Sequence, residues 1–246
     1  MKITFLGTSH GVPDAERYCQ SILVEANDSA YLIDAGAPVM DLLLRKNFDL
    51  KKIKAVFTTH MHGDHLDGLL EFVDLCTWYF KETNFDIYMT EKSGIDAFEM
   101  LLDAYGGSRK AAEDRIRFKP VDKSTVYDDG CVRVTTHPTD HMALAGRPSF
   151  GYLIEAEGKK VYISGDMSEA LEDYPSFVND GEIDVFIVES AHFMPDKLVE
   201  KLKDCKAKQV MIIHGYRSEI ADEIDSFAHI SSFELICPSD NDEYIV

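Results

Sequence analysis

The sequence predicts an α/β protein, in which two β-sheets are sandwiched between helices within one compact domain over residues 1–246. Short apolar runs alternate with stretches whose hydrophobic residues recur at helical spacing. The halves 1–125 and 126–246 repeat one coarse order, strands first and then strand–helix units. Ligand-type residues sit where predicted strands stop, at Asp34, the 60–65 cluster, His141, Asp166 and His214.

Ile3, Phe5 and Leu6 open a strand that ends in Gly7-Thr-Ser-His-Gly11-Val-Pro13, where small residues permit a tight turn and leave amides free to approach an anion. Residues 21–25 and 30–33 read as a hairpin around 26–29. Its second strand ends in Asp34-Ala-Gly36, ahead of a helix that starts near Pro38. Ala55, Val56 and Phe57 form a short buried strand, and Leu66, Leu69, Leu70, Phe72, Val73 and Leu75 then recur at helical spacing. A strand at 85–89 and a helix over 91–105 follow. Residues 106–119 are locally basic through Arg109, Lys110, Arg115, Arg117 and Lys119: a solvated loop on one reading, a small substrate-facing patch on the other.

The alternation at 132–136 predicts a strand that delivers His137 and His141 into a loop, which passes Arg147 on the way to a strand at 150–155. Glu157-Gly158 turns the chain into a strand at 160–163 that ends in Ser164-Gly165-Asp166. Residues 169–178 read as a helix, 183–188 as a buried strand ending at Glu189-Ser-Ala-His192, and 195–202 as a helix with proline at its start. A strand at 209–213 ends at His214; a helix over 218–228 and short strands at 233–236 and 243–246 close the chain.

Composition excludes several classes. No run approaches the roughly 18 apolar residues of a membrane span, and the first residues read as a strand, not as a signal peptide. Five scattered cysteines without Cys-x-x-Cys pairs suggest reduced thiols and a cytoplasmic protein. A net charge of −19 repels a long phosphate backbone, so the expected partner is a small-molecule substrate and not a nucleic acid or a membrane. A homodimer stays open.

The chemistry concentrates at His60-Met-His62-Gly-Asp64-His65. His60 and His62 alternate, so in an extended loop both rings can face one point, while Asp64 and His65 in the first helical turn can face a second point about 3–4 Å away. That spacing predicts a metal site. Apolar strands that each end in His or Asp would waste desolvation unless those polar groups share a partner.

Together these residues resemble the metallo-β-lactamase-fold hydrolase superfamily across nearly the whole chain. The strand-end Asp34, the His-x-His-x-Asp-His run at 60–65, His141, Asp166 in Ser-Gly-Asp and the final His214 each match one of its motifs. The resemblance implies a four-layer αβ/βα sandwich and two divalent metal ions, zinc in the first place, with manganese or iron as alternatives. It implies that His60, His62 and His141 bind one metal and Asp64, His65 and His214 the other, with Asp166 bridging and Asp34 supporting the ligands. His137 shares the loop with His141, but His141 stands closer to Phe150-Gly-Tyr, as the pattern expects. Two cations together lower the pKa of water and polarise the scissile oxygen, and Asp64 would orient the attacking water or take up its proton. A β-lactam is disfavoured, because no cysteine stands at the second metal position.

The opening Phe5-Leu-Gly-Thr-Ser-His-Gly-Val-Pro13, followed by Arg17 and Ser21, resembles the ribonuclease Z-like phosphodiesterase branch. In that branch a histidine near the last motifs helps to stabilise the transition state, a role that His192 could take; Glu189 and His192 as a helix N-terminal pair is the plainer alternative. The Gly/Pro-rich arm that grips tRNA is absent. The expected activity is therefore that of a metal-dependent hydrolase of a small phosphodiester, with Ser9, Arg17 and Arg147 as candidate substrate contacts. A thioester or lactone hydrolase with an acyl pocket lined by Trp78, Tyr79 and Phe80 is the alternative, and a tRNA 3′-processing endoribonuclease the second.

Overall fold

The first sheet grows from two hairpins. Strand β1 (Lys2–Gly7) pairs antiparallel with β2 (Ser21–Ala26), and β2 pairs with β3 (Ser29–Ile33) across a turn in which Asn27 and Asp28 take φ of 50° and 62°. Two consecutive left-handed residues match the twist of a tight hairpin. Strands β4 (Ile53–Phe57), β5 (Phe85–Met89) and β6 (Ile116–Pro120) then add in parallel to β3. The parallel steps require crossovers, which run through α1 (Val39–Arg45), α2 (Gly63–Trp78) and α3 (Lys92–Ala104).

The second half repeats this plan. Strands β7 (Thr125–Asp128), β8 (Val132–Thr139), β9 (Ser149–Ala156) and β10 (Lys159–Ile163) are antiparallel, and β11 (Val185–Glu189), β12 (Gln209–Ile213) and β13 (Glu234–Ile236) follow in parallel. Helix α4 (Pro195–Leu202) links β11 to β12. The last strand, β14 (Glu243–Ile245), returns to the free edge of β1. This computed structural model describes residues 1–12, 15–106, 110–121, 125–215 and 233–246, and among them the strands form two seven-stranded sheets.

Side-chain alternation converts the sheets into layers. In β3, Leu32 faces the helices with Val56, Leu69 and Phe72, while Tyr31 and Ile33 face the other sheet. The middle core joins Phe5, Phe57, Tyr152 and Ile163, and a third core packs Tyr162, Phe186 and Val188 against Leu198 and Leu202 of α4. Three cores between four layers give the expected αβ/βα sandwich.

Some expectations fail locally. Residues 169–178 are turns ending in a 3-10 turn at Ser176–Asn179, because Asp173 accepts bonds from Ser168 N and Oγ and Pro175 interrupts the helical ladder. The basic stretch is in part strand β6, and β7 was not expected. The helix expected at 218–228 lies outside the described residues. No described helix is long and apolar enough to cross a membrane, and Cys19, Cys76, Cys131 and Cys205 are free thiols.

Candidate metal centre

The first sheet delivers its donors where β4 ends. Beyond Phe57 the chain runs through Thr58 and Thr59 into His60, and α2 begins at Gly63, immediately ahead of Asp64 and His65. Its N-terminal end is pressed against the loop after β3: Ala35 N donates to His65 O and Gly68 N to Ala35 O. Glycine permits this contact, since a Cβ on Gly36 would lie 2.2 Å from Asp64 O.

Asp34 organises this half. It is fully buried at φ +61°, and Oδ1 accepts from Thr59 N at 2.7 Å while Oδ2 meets His65 Nδ1 at 2.7 Å. Thr59 Oγ1 also stands 3.0 Å from His60 Nδ1, so one threonine links Asp34 to both histidines. Sequence reasoning missed Thr59; its place directly before the first histidine was the available signal.

The second sheet supplies His141 from the loop after β8, Asp166 after β10, His192 after β11 and His214 after β12. Cross-sheet bonds bring the halves together: Phe150 N donates to Thr59 O at 2.9 Å and Tyr152 Oη to Thr58 O at 2.7 Å. Donor atoms of His60, His62, His141 and Asp166 then lie within 4.8 Å of one another, as do those of Asp64, His65 and His214. Asp166 Oδ2 joins the two groups, at 3.6 Å from His60 Nε2, 3.8 Å from His141 Nε2 and 3.5 Å from both His65 Nε2 and His214 Nε2. His60, His65, Asp166 and His214 form a buried floor, and His62, Asp64, His141 and His192 rise toward solvent.

These separations are too long for hydrogen bonds, yet donors about 2.1 Å from one tetrahedral cation would stand about 3.4 Å apart. His65 Nε2 is buried without a hydrogen-bond partner, although its Nδ1 is held by Asp34. His60 Nε2 and His141 Nε2 both converge on His62 Nδ1, at 2.9 and 3.2 Å, so three ring nitrogens face one point.

Electrostatics favour the same outcome. Burial pushes His60 down to about 2 and His141 down to about 4, and it lowers His62 as well. Burial opposes the negative charge on Asp64, but His65 and His214 outweigh it and hold the carboxyl below its usual range. Neutral imidazoles at His60, His62 and His141 and an ionised Asp64 are the states in which these groups bind metal, whereas Asp166 and Asp34 raise the pKa of His65 against burial, so that a cation there displaces a proton. The donor set fits a divalent cation.

His192 behaves differently. Burial opposes its charge, but Nδ1 lies 3.1 Å from Glu189 Oε1, and this partner raises its pKa to about 9. The ring is 4.4 Å from that of His141. His137 is elsewhere: alternation along β8 turns it away from the sheet interface, and it packs between Phe177 and Tyr162.

The remaining candidates have other partners. Ser9 is buried and donates to His10 O, Arg17 donates to Thr8 O at 3.5 Å, and the exposed Arg147 is paired with Glu91 at 2.8 Å. Among the described residues of the basic stretch, Arg115 bonds the carbonyls of Cys76, Thr77 and Thr83, and Arg117 and Lys119 share Asp86. Arg109 lies outside the described residues. Trp78, Tyr79 and Phe80 do not line the centre: they stand at the far end of α2, about 20 Å from its N-terminus at 1.5 Å per residue.

A family model described as Anti-Pycsar protein Apyc1 matches residues 1–228. Ribonuclease Z of Listeria monocytogenes serotype 4b is 26% identical over 251 aligned positions, covering 95% of this chain and 77% of that protein. Among solved structures, the short form of human tRNase Z superposes with a TM-score of 0.76 at 20% identity, covering 100% of this chain and 99% of that one. Yeast PDE1 superposes with a TM-score of 0.74 at 12% identity, covering 100% and 99%. Both structures share the fold described above.

Proposed function

The chain belongs to the family of the Anti-Pycsar protein Apyc1 and is a metal-dependent hydrolase of the metallo-β-lactamase fold; from that premise we propose that it cleaves small phosphodiesters, of the cyclic-nucleotide or nucleotide-like kind, at a dinuclear centre. The observation that carries this reading is Asp166 Oδ2, placed 3.5–3.8 Å from donors of both histidine groups. His60, His62 and His141 would hold one cation and Asp64, His65 and His214 the other, with Asp166 within reach of both groups. Imidazole and carboxylate donors without thiolate suit zinc, with manganese or iron as alternatives. When bound, two such cations supply Lewis acidity to a phosphoryl oxygen and a lowered pKa to water.

The protein's own residues do the rest. Asp64, at the mouth of the site, takes the proton of the water whose oxygen attacks phosphorus. His192, kept protonated by Glu189, faces the charge that develops on the phosphoryl oxygens and gives its proton to the departing alkoxide as the P–O bond breaks. The relatives named ribonuclease Z and PDE1 support phosphodiester substrates, and the −19 charge favours a small one over tRNA. The thioester alternative loses its pocket, because Trp78 to Phe80 stand at the other end of α2. Free thiols and the absence of a membrane-crossing helix among the described residues are compatible with a cytoplasmic enzyme.

Turnover of bis-p-nitrophenyl phosphate, cyclic nucleotides, a precursor tRNA and a panel of carboxylic and thioesters, with added zinc or manganese, tests the proposal. Phosphodiesters should be cleaved, with activity falling to background in H62A. Phosphodiester turnover no greater than that of H62A, or faster ester hydrolysis, would overturn it.

A further inference from the structure

The C-terminal segment passes from one sheet to the other beside the metal centre. Strand β13 lies on the edge of the second sheet and β14 on the edge of the first, so residues 237–242 cross between them. The crossing is tied to β1: Asn241 N donates to Phe5 O at 2.6 Å, and Phe5 N donates to Asp242 O at 3.0 Å. A turn in which Ser239 N donates to the Asp242 carboxylate holds its shape. This register sets Asp240 opposite Thr8, the residue that follows β1.

Asp240 then accepts three bonds. Its Oδ1 receives Thr8 N at 2.9 Å and Thr8 Oγ1 at 2.7 Å, and its Oδ2 receives Tyr18 N at 2.6 Å. Bonds to an ionised carboxylate are stronger than those between neutral groups, and Thr8 is buried. With its N–H and hydroxyl held on one side, Thr8 presents its carbonyl on the other. That carbonyl accepts from His214 N at 3.0 Å. Thr8 belongs to the first sheet and His214 to the second, so this bond crosses between the halves of the site. His214 also has φ +54°, a left-handed conformation that a residue with a Cβ rarely adopts unless its surroundings impose it.

We propose that Asp240 is a positioning residue for the metal centre: through Thr8 it fixes the backbone of His214, and thereby aims the His214 ring at Asp64 and Asp166. This role rests on the reading of His214 as a cation donor. It predicts control over the group Asp64, His65 and His214 and little influence on the group His60, His62 and His141, whose loops are held by Asp34, Thr59 and Phe150.

Amide hydrogen exchange of the metal-free protein tests the linkage without any cation. Phe150 N–H, bonded to Thr59 O, is an internal control in a second cross-sheet bond. In D240A, exchange at His214 should accelerate by about tenfold or more while Phe150 stays as protected as in the wild type. Strand β14 pairs with β1 through Lys2–Thr4, away from Asp240, and this pairing should persist in the variant. D240N, which preserves size but turns an amide donor toward Thr8 N or Tyr18 N, should act in the same direction if D240A folds poorly. Manganese titration should then show one of two binding steps weakened by about tenfold, the range expected for groups that orient ligands.

Unchanged His214 exchange in both variants would overturn the proposal. So would equal loss of protection at His214 and Phe150, the signature of a residue that only stabilises the fold. A wild-type protein that binds a single cation would refute the dinuclear reading, while the exchange result would still decide whether Asp240 fixes His214.

Discussion

Asp34 shows how a single carboxylate can decide whether a histidine is able to bind metal. It is buried at the end of β3 and engages His65 Nδ1 at 2.7 Å, so the proton of a neutral His65 sits on Nδ1 and the lone pair on Nε2 faces the centre. In D34N the side-chain oxygen can still accept from Thr59 N, but the amide group would present a donor to His65 Nδ1. The proton then moves to Nε2, where the cation needs a lone pair. D34N should therefore weaken metal binding by about 10–100-fold, measured by titration against a chelator, with the secondary structure unchanged by circular dichroism. An unaltered affinity would refute this tautomer argument. Asp34, His60 and Asp166 were legible in the sequence because each follows an apolar run, where an isolated polar group is costly, whereas His141 was singled out over His137 only by the family resemblance. The partner of Arg147 was not legible: Glu91 lies 56 positions away in a different element, and no local pattern reports that pairing.

At the scale of elements, the sequence disclosed helices whose apolar spacing reflects burial on one side, as in α2. It misled at 169–178, where apolar residues recur but Asp173 and Pro175 impose turns. It also concealed β6, because Arg117 and Lys119 look solvated until Asp86 on the adjacent β5 is seen to accept both. The packing of α2 against the loop after β3 was equally hidden, since it depends on a glycine inside a helix. Gly68 normally costs about 1 kcal/mol relative to alanine in a helix. Here a Cβ would lie 2.7 Å from Gly36 O and 2.9 Å from both Ala35 O and Val39 Cγ1, and the two carbonyls are backbone atoms that cannot move aside cheaply. G68A should consequently destabilise the protein by about 1–3 kcal/mol despite its better helix propensity. An alanine at the exposed Glu71 of the same helix should change stability by less than about 0.5 kcal/mol. Urea denaturation compares the two, and a stabilised G68A would show that the contact is less tight than the distances imply.

The whole molecule joins two sheets through a cluster of groups whose charges depend on pH, so stability, metal binding and pH must be linked. His60, His62 and His141 have depressed pKa values through burial, so the unfolded chain binds more protons than the folded one below about pH 6.5, and their contribution is lost as pH falls. His192 has the opposite sign. Raised to about 9 by Glu189 against the effect of burial, its contribution is complete below about pH 6.5 and lost as pH rises through 9. His65 follows the same rule, since burial opposes its charge but Asp166 and Asp34 raise its pKa. The metal-free protein should thus be most stable near about pH 6.5 and less so on either side. A cation changes the alkaline side, because it replaces the proton between His65 and the carboxylates. It also competes with protons for the imidazoles on the acid side. At a free metal concentration about 100 times the dissociation constant, binding should add about 2.7 kcal/mol, or about 5–10 °C in melting temperature for a chain of this size. Differential scanning fluorimetry with manganese and with chelator, from about pH 5.5 to 8.5, should show this increment growing with pH. An increment that stays constant over that interval would mean that the cation is not held by these histidines.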